Sequence, residues 1–233
     1  MSRGGGVAVV IPAGGLGTRL GHRTPKQFLA LGGAPILVET LRHFVRHPLV
    51  DVVVIAAPGG HLDRTRRLLE RVAHRTAATV VVGGATRQES VAHGLAAVPA
   101  EARIVVVHDA VRPFVTRALI DAVVHAAETS GAAICALPIA ETVKRVSGDL
   151  VVEATIDRAG LWAVQTPQAF RAALLREAHD KARRDGVVGT DDAMLVERLG
   201  HPVRVVRGSE SNVKITTPQD LRRARGLLRR ARS

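Results

Sequence analysis

The sequence has 233 residues, a formal net charge of +12 and an apolar fraction of 46%, with aromatic residues making up only 2%. So few rings argue against carbohydrate-stacking platforms and against RNA readers that stack bases. A single cysteine excludes an internal disulfide framework, and no apolar run approaches the roughly 20 residues of a membrane helix. We therefore expect a cytoplasmic protein without a membrane partner.

Short valine-rich runs alternate with helical patterns along the first part of the chain. This alternation predicts an α/β fold with a single doubly wound, mostly parallel (Rossmann-like) sheet, and we expect residues 1–233 to form one domain. The predicted strands are 7–11, 52–57, 79–82, 104–108 and 132–137. The predicted helices are 36–47, 61–74, 86–98 and 116–129, the last with Thr116 as its N-cap.

The pattern changes after the fifth predicted strand. Residues 142–156 read as two strands around a Ser147-Gly148-Asp149 turn. Because an isolated two-stranded hairpin is marginally stable in water, we expect a protruding arm, at about residues 139–160, to pack on a second copy of the chain. Beyond the arm, the sequence predicts helices at 171–184, 191–199 and 218–232, and short strands at 203–206 and 212–216.

The first predicted strand runs into a glycine-rich loop, Pro12-Ala-Gly-Gly-Leu-Gly-Thr-Arg-Leu20, and then into Thr24-Pro25-Lys26-Gln27. Glycines after a strand let backbone N–H groups surround a phosphate. The loop matches neither the dinucleotide fingerprint, which needs glycine where Leu20 stands, nor the P-loop, whose lysine follows the glycines directly. It presents two cations, Arg19 and Lys26, which suit a triphosphate that leaves as pyrophosphate. The alternative is two ordinary surface charges.

Two further motifs follow predicted strands. The segment Gly83-Gly-Ala-Thr-Arg-Gln-Glu-Ser-Val91 suits contact with a base or ribose, or else is a structural turn before a helix. Asp109 ends the fourth strand and can hold Mg²⁺ among phosphates, while Arg112 can grip a phosphate bidentately. A helix-capping Asp beside a surface Arg is the alternative. Because strands one and four are neighbours in a doubly wound sheet, we expect the glycine loop and Asp109 to meet where the strand order reverses.

Taken in order, these motifs resemble sugar-phosphate nucleotidyltransferases and, more narrowly, the 2-C-methyl-D-erythritol 4-phosphate cytidylyltransferase family. The resemblance runs from about Val7 to Leu221 and includes the segments 141–144, 157–162, 165–168, 190–193 and 212–216. It implies transfer of a cytidylyl group from CTP to a polyol phosphate, with Mg²⁺ or another divalent cation as cofactor. In this family the hairpin arm crosses to the partner subunit of a homodimer, so the resemblance implies that Arg158 serves the neighbouring site.

The resemblance also implies roles for individual residues. The implied catalytic residues are Arg19, Lys26, Arg158 and Lys214. Those implied to hold the nucleotide are Ala13, Gly14, Gly15, Gly17, Gly83, Ala85 and Ser90. Those implied to line the polyol-phosphate site are Asp109, Arg112, Thr142, Thr166 and Thr190, with Asp109 also approaching the metal. Some relatives carry an Asp where Ala85 stands, so contact with cytosine must rest on backbone groups and Ser90.

Two alternative functions stay open. A ribitol 5-phosphate cytidylyltransferase would share the CTP machinery and differ in its acceptor pocket, where the segments 157–158 and 190–191 favour methylerythritol phosphate. A non-catalytic nucleotide- or nucleic-acid-binding protein would use the +12 charge. An enzyme is favoured over a binding protein, because the chain retains Arg19, Lys26, Asp109 and Lys214 together. We therefore expect no nucleic-acid partner.

Overall fold

The computed structural model describes residues 6–15, 24–73 and 76–232, with side chains up to Arg229. The strands are β1 (Val7–Pro12), β2 (Ala30–Leu31), β3 (Ala34–Pro35), β4 (Val50–Ala57), β5 (Ala77–Val82), β6 (Ile104–Val107), β7 (Ala132–Pro138), β8 (Val143–Val146), β9 (Val152–Ile156), β10 (Trp162–Arg171) and β11 (Arg204–Arg207). The helices are α1 (Ile36–Val45), α2 (Leu62–Glu70), α3 (Arg87–Ala96), α4 (Arg117–Ser130), α5 (Ala172–Arg184), α6 (Asp192–Glu197) and α7 (Pro218–Arg232). Short 3-10 turns lie at Lys26–Phe28 and Gly59–His61.

A seven-stranded sheet in the order β11-β7-β10-β6-β1-β4-β5 forms the centre of the molecule. The chain moves outward from β1 through β4 to β5 and then returns to the other side of β1 at β6. The strand order therefore reverses between β1 and β6, which pair in parallel. This confirms the predicted α/β class and the mostly parallel sheet, and it brings the ends of the first and fourth predicted strands together.

Both faces of the sheet are covered by helices. Along β1, Val9 and Ile11 pack into a core with side chains of α1, α2 and α4. Ala8 and Val10 point to the other face and pack with α3 and α5. Because successive strand residues face opposite sides, a strand buried on both faces shows a continuous apolar run rather than an alternating one. The valine-rich runs of the sequence are the result.

The central antiparallel strand, β10, was missed at the level of sequence. It pairs antiparallel with both β6 and β7. Its sequence contains Pro167, and a proline in an apolar run argues against a central strand because it cannot donate to the ladder. The structure accommodates Pro167 at a register shift between Gln165 and Gln168, where the ladder to β7 is interrupted.

The short strand predicted at 212–216 was wrong. The segment is irregular and is held by contacts other than a strand ladder. The Asn212 side chain donates to the Thr166 carbonyl at 2.8 Å, and the Ile215 N–H donates to the Val111 carbonyl at 2.9 Å. Ile215 then packs in a small core with Leu221 of α7. These contacts fix the segment that carries Lys214 beside the end of β6.

The predicted hairpin is present. Strands β8 and β9 form a two-stranded sheet of their own, separate from the central sheet. The turn and the first residue of β9 expose apolar side chains, with Leu150 85%, Val151 63% and Val152 57% exposed. No helix in the described part of the chain is both long enough and apolar enough to cross a membrane.

Candidate active site

A cleft of about 250 Å³ opens where β1 and β6 end. Its walls come from the glycines after β1, the Lys26 turn, the first turn of α3, the residues after β6 and the irregular segment before α7. The predicted site residues in these walls are Ala13, Gly14, Gly15, Lys26, Ala85, Ser90, Asp109 and Lys214. Gly17 and Arg19 lie outside the described residues. The topology therefore gathers loops from distant parts of the sequence at the expected crevice.

The glycines after β1 and β5 allow two backbones to meet at the floor of this cleft. A Cβ added to Gly14 would lie 2.6 Å from Ser90 Oγ, and one added to Gly83 would lie 3.2 Å from the Gly14 Cα. Any larger residue would push these segments apart. Gly83 thus supports the predicted nucleotide wall from behind rather than lining it.

Ser90 organises the turn between β5 and α3. Its Oγ accepts from the Gly84 N–H at 3.1 Å and can donate to the Thr86 carbonyl at 2.9 Å. Thr86 caps α3, and Glu89 completes a capping box by accepting from the Thr86 and Ala85 N–H groups. This arrangement follows the Thr-x-x-Glu signature in the sequence. The hydroxyl predicted to contact the nucleotide is therefore also part of the loop that shapes the wall.

Asp109 lies at the centre of the charged groups in the cleft, although its side chain is only 8% exposed. Lys214 Nζ lies 2.9 Å from Oδ2 and Arg87 Nε lies 3.3 Å from Oδ1. Arg112 Nε lies 3.4 Å from Oδ2. Burial acts to raise the pKa of Asp109, but the charges of Lys214, Arg87 and Arg112 outweigh it and hold that pKa well below its usual range. Asp109 is therefore an anion at neutral pH.

Arg112 lies behind Asp109 and is itself buried. Its Nη1 donates to the Asn212 carbonyl at 2.8 Å, so it holds the segment that carries Lys214. Direct binding of a substrate phosphate by Arg112 stays a prediction.

A buried histidine fixes the hydroxyl of Thr166. His108 Nε2 lies 3.0 Å from the Arg112 carbonyl, which can only accept, so Nε2 carries the proton. Burial lowers the pKa of His108 to about 3, so the ring is neutral and Nδ1 is an acceptor. The Thr166 hydroxyl then donates to Nδ1 at 3.2 Å and accepts from the Asp109 N–H at 3.0 Å. Thr166 therefore anchors the backbone of Asp109, and His108 has a supporting role.

The remaining predicted acceptor residues are not among the described residues that line the cleft. Thr142 and Arg158 are exposed on the arm, where the Arg158 guanidinium donates to the Ala140 carbonyl. Thr190 is exposed in the loop that precedes α6. The structure thus brings Ala13, Gly14, Gly15, Ala85 and Ser90 together with Lys26, Asp109 and Lys214 in one cleft. Among the described residues of this chain, Thr142, Arg158 and Thr190 do not line it.

Two functional residues were missed at the level of sequence. Gln27 is 2% exposed and donates from Nε2 to the Ala13 carbonyl at 2.6 Å, which ties the Lys26 turn to the end of β1. Arg87 lies in the wall of the cleft between Asp109 and the buried Asp192. Burial opposes the charge of Arg87, but Asp192 and Asp109 outweigh it and raise its pKa. A basic residue opening the helix after the Gly83-Gly84 turn was the available signal for Arg87.

A divalent cation in this cleft would need oxygen donors from the same residues. Within the described ranges, no group of three or more His, Cys, Asp or Glu side chains could hold a metal ion. Mg²⁺ often binds through one or two carboxylates together with substrate phosphates. Asp109 fits that kind of site because it is ionised, and a carboxylate offers about four acceptor positions, more than its three cationic neighbours occupy.

Comparisons with known proteins agree with this geometry. The family model for IspD, 2-C-methyl-D-erythritol 4-phosphate cytidylyltransferase, matches residues 7–230. A curated relative with that enzyme name from Symbiobacterium thermophilum is 52% identical over 223 residues, which cover 95% of this chain and 92% of the relative. The solved 4-diphosphocytidyl-2C-methyl-D-erythritol synthase of Anaerococcus prevotii superposes with a TM-score of 0.86 at 30% identity and covers 97% of each chain. The solved 2-C-methyl-D-erythritol 4-phosphate cytidylyltransferase of Thermus thermophilus is 41% identical, with a TM-score of 0.78 over 95% of this chain and 98% of its own.

Proposed function

The chain belongs to the 2-C-methyl-D-erythritol 4-phosphate cytidylyltransferase family, and we propose how its cleft performs the reaction. The enzyme converts CTP and 2-C-methyl-D-erythritol 4-phosphate into 4-diphosphocytidyl-2-C-methyl-D-erythritol and pyrophosphate. The observation that carries the proposal is the meeting of Lys26, Asp109 and Lys214 beside the glycines after β1, at the reversal of strand order.

The attacking group is the phosphate of the polyol substrate. A phosphate monoester is largely dianionic near pH 7, because its second pKa is about 6. One of its oxygens attacks the α-phosphorus of CTP, and the bond from the α-phosphorus to the oxygen bridging to the β-phosphorus breaks. Pyrophosphate leaves with that electron pair. No general base or protein nucleophile is needed, so catalysis consists of positioning and charge stabilisation.

Cations of the cleft reduce the repulsion between the two anionic substrates. Lys26 stands next to the glycine-rich wall, where backbone N–H groups can face the triphosphate. Together with Arg19, it stabilises charge as that charge moves onto pyrophosphate. Lys214 is 40% exposed at its side chain and paired to Asp109, so it is held in place and can still reach an incoming phosphate.

A divalent cation would be held by Asp109 together with the phosphates of CTP. Mg²⁺ in that position supplies positive charge to the triphosphate without a proton transfer. Asp109 is kept ionised for this purpose by its cationic neighbours. The surrounding arginines also fix the orientation of its carboxylate.

The acceptor side of the site is completed by a second copy of the chain. The arm carries Thr142 and Arg158, is exposed, and presents Leu150, Val151 and Val152 to solvent. A hairpin of this kind is marginal by itself, and burial of these side chains on a partner would stabilise it. In the resulting homodimer, the partner subunit's Arg158 reaches the cleft described above.

A cytoplasmic location stays a prediction.

The choice of acceptor is tested by measuring pyrophosphate release with CTP and Mg²⁺. We expect release with 2-C-methyl-D-erythritol 4-phosphate and none above background with ribitol 5-phosphate. Release with ribitol 5-phosphate alone would retain the mechanism and overturn the acceptor. Family membership does not favour that alternative or a non-catalytic nucleotide- or nucleic-acid-binding function.

A further inference from the structure

One guanidinium is shared between the nucleotide cleft and a buried carboxylate outside it. Arg87, in the first turn of α3, has its Nε 3.3 Å from Asp109 Oδ1. Its Nη1 lies 2.8 Å from Oδ2 of Asp192, in the first turn of α6. Arg87 therefore joins two elements that approach the site from different directions.

Asp192 is almost completely enclosed, with 1% of its surface exposed. Its other oxygen, Oδ1, accepts from His179 Nε2 of α5 at 3.0 Å. A buried carboxylate needs such partners, yet a well-packed apolar substitute for a buried ion pair is often equally stable. Stability alone therefore does not account for an ion pair at this place. The Arg87–Asp192 pair also fixes the position of α6 relative to α3, and we take that to be its role.

The residue next to Arg87 holds the other end of the same segment. Gln88 Oε1 accepts from the Gly189 N–H at 2.8 Å, and Gln88 Nε2 donates to the Val187 carbonyl at 3.0 Å. The first turn of α3 therefore grips residues 187–192 at both ends. Thr190, exposed and predicted to contact the polyol phosphate, lies between these two attachment points.

The segment is also tied to the strand that anchors Asp109. Gln168 of β10 donates from Nε2 to Asp191 Oδ2 at 2.8 Å. Asp191 Oδ1 in turn accepts from the Met194 N–H at 3.0 Å and caps α6. Thr190 is therefore placed relative to both the nucleotide wall, through α3, and the Thr166 strand, through β10.

We propose that Asp192 and Gln88 are positioning residues that hold the Thr190 segment in register with the nucleotide bound at the start of α3. They act through Arg87 and the backbone of residues 187–189, and neither touches the reacting atoms. The inference rests on the proposed function and on the role that the family resemblance implies for Thr190, which is to line the polyol-phosphate site. On this proposal, α3 has two roles: its first turn forms part of the nucleotide wall, and the same turn aligns the acceptor with CTP.

The test compares the wild-type enzyme with Asp192→Asn and Gln88→Ala. Because a small displacement of a positioning group can cost on the order of 10²-fold, we expect the KM for the methylerythritol phosphate to rise by roughly tenfold or more in both variants. The Kd for CTP, measured by calorimetry without acceptor, should stay within roughly threefold of wild type in Gln88→Ala, because the Gln88 side chain contacts Val187 and Gly189 and does not line the cleft. Gln88→Ala leaves no buried charge unpaired, so it keeps the test valid if Asp192→Asn fails to fold.

Arg176→Gln is the matched control. Arg176 of α5 donates to the Leu95 and Val98 carbonyls at 2.7 and 2.9 Å, at the opposite end of α3. Its loss loosens α3 without touching residues 187–192, so we expect no change in either constant. In the double variant, Asp192→Asn with Gln88→Ala, the effects should be less than multiplicative because both residues hold one segment.

The outcomes separate this inference from the proposed function. A folded wild-type enzyme that releases no pyrophosphate would overturn the proposed function itself. With an active wild type, the inference is overturned if Gln88→Ala keeps a wild-type KM for the acceptor. It is also overturned if the Arg176→Gln control shows the same rise in that KM, because the effect would then reflect general loosening of α3.

Discussion

Lys214 Nζ lies 2.9 Å from Asp109 Oδ2, although Asp109 follows a core strand and Lys214 belongs to an irregular segment before the last helix. Each charge keeps the other in place. Asp109 is nearly buried, and Lys214 is the largest of the interactions that lower its pKa. The pair therefore links the chemistry of the cleft to its stability.

A first prediction concerns the pH dependence of stability. Because the folded pKa of Asp109 lies below its ordinary value of about 3.9, its contribution to stability is present above that pH and is lost as the pH falls through the folded pKa. Lys214→Met should raise the pKa of Asp109, so acid unfolding should begin roughly one pH unit higher than in wild type. Thermal unfolding followed from neutral to acid pH measures this shift. Lys214→Arg, which keeps the charge, should behave like wild type, and coincident curves for all three proteins would contradict the assignment.

A second prediction concerns Lys26. Lys26→Ala should lower kcat by roughly 10²-fold or more, because a contact that strengthens in the transition state is lost. Arg19→Ala should have a similar effect on the same grounds. Steady-state pyrophosphate release measures both. Lys181, which pairs with Asp185 on α5 away from the cleft, provides the control Lys181→Ala, and wild-type turnover in Lys26→Ala would refute the role of Lys26.

A third prediction tests the crossing of the arm. Arg158→Ala should mainly weaken use of the polyol phosphate, and Lys26→Ala should lower turnover by roughly 10²-fold or more. If the arm crosses, a mixed dimer of these two variants has one site with both residues intact. Co-expression of the two variants should then restore roughly a quarter of wild-type activity, since about half of randomly paired dimers are mixed and each has one of two sites complete. Activity no greater than that of the separate variants would mean that each arm serves its own subunit.

A fourth prediction concerns the hydroxyl of Thr166. Thr166→Val leaves the buried Asp109 N–H without its acceptor, which should lower the free energy of unfolding by about 1–3 kcal/mol. Thr166→Ser keeps the hydroxyl and should retain most of that stability. Urea denaturation of the three proteins measures the difference, and equal stabilities of the valine and serine variants would argue against this anchoring contact.

The central sheet could be predicted from sequence because its parallel strands are buried on both faces. Val9 and Ile11 face one core and Ala8 and Val10 the other, so the run has no polar interruption and is easily recognised. The strand β10 was not predicted, because Pro167 and the polar glutamines near it interrupt the apolar pattern of a buried strand. Its antiparallel direction depends on the point at which the arm returns the chain to the sheet. Local sequence propensity does not encode that point.

The candidate site was predicted in part for the same reason. Gly14, Gly15 and Asp109 follow the neighbouring parallel strands β1 and β6, and the carboxyl ends of these strands bring them into one cleft. The Arg87–Asp192 pair joins two helices that are distant in the sequence, and an arginine in the first turn of a helix looks like an ordinary exposed residue. The enclosure of Arg87 becomes visible only in the folded chain. There, one carboxylate is Asp109, and the other is Asp192 of α6, which also pairs with His179 of α5.

The most direct test of the mechanism uses 2-C-methyl-D-erythritol 4-phosphate labelled with ¹⁸O in its phosphate, together with CTP and Mg²⁺, and mass spectrometry of both products. If the acceptor phosphate attacks the α-phosphorus, all of the label should appear in 4-diphosphocytidyl-2-C-methyl-D-erythritol and none in pyrophosphate. Label in pyrophosphate, or the absence of a cytidylylated product from folded protein, would contradict the account.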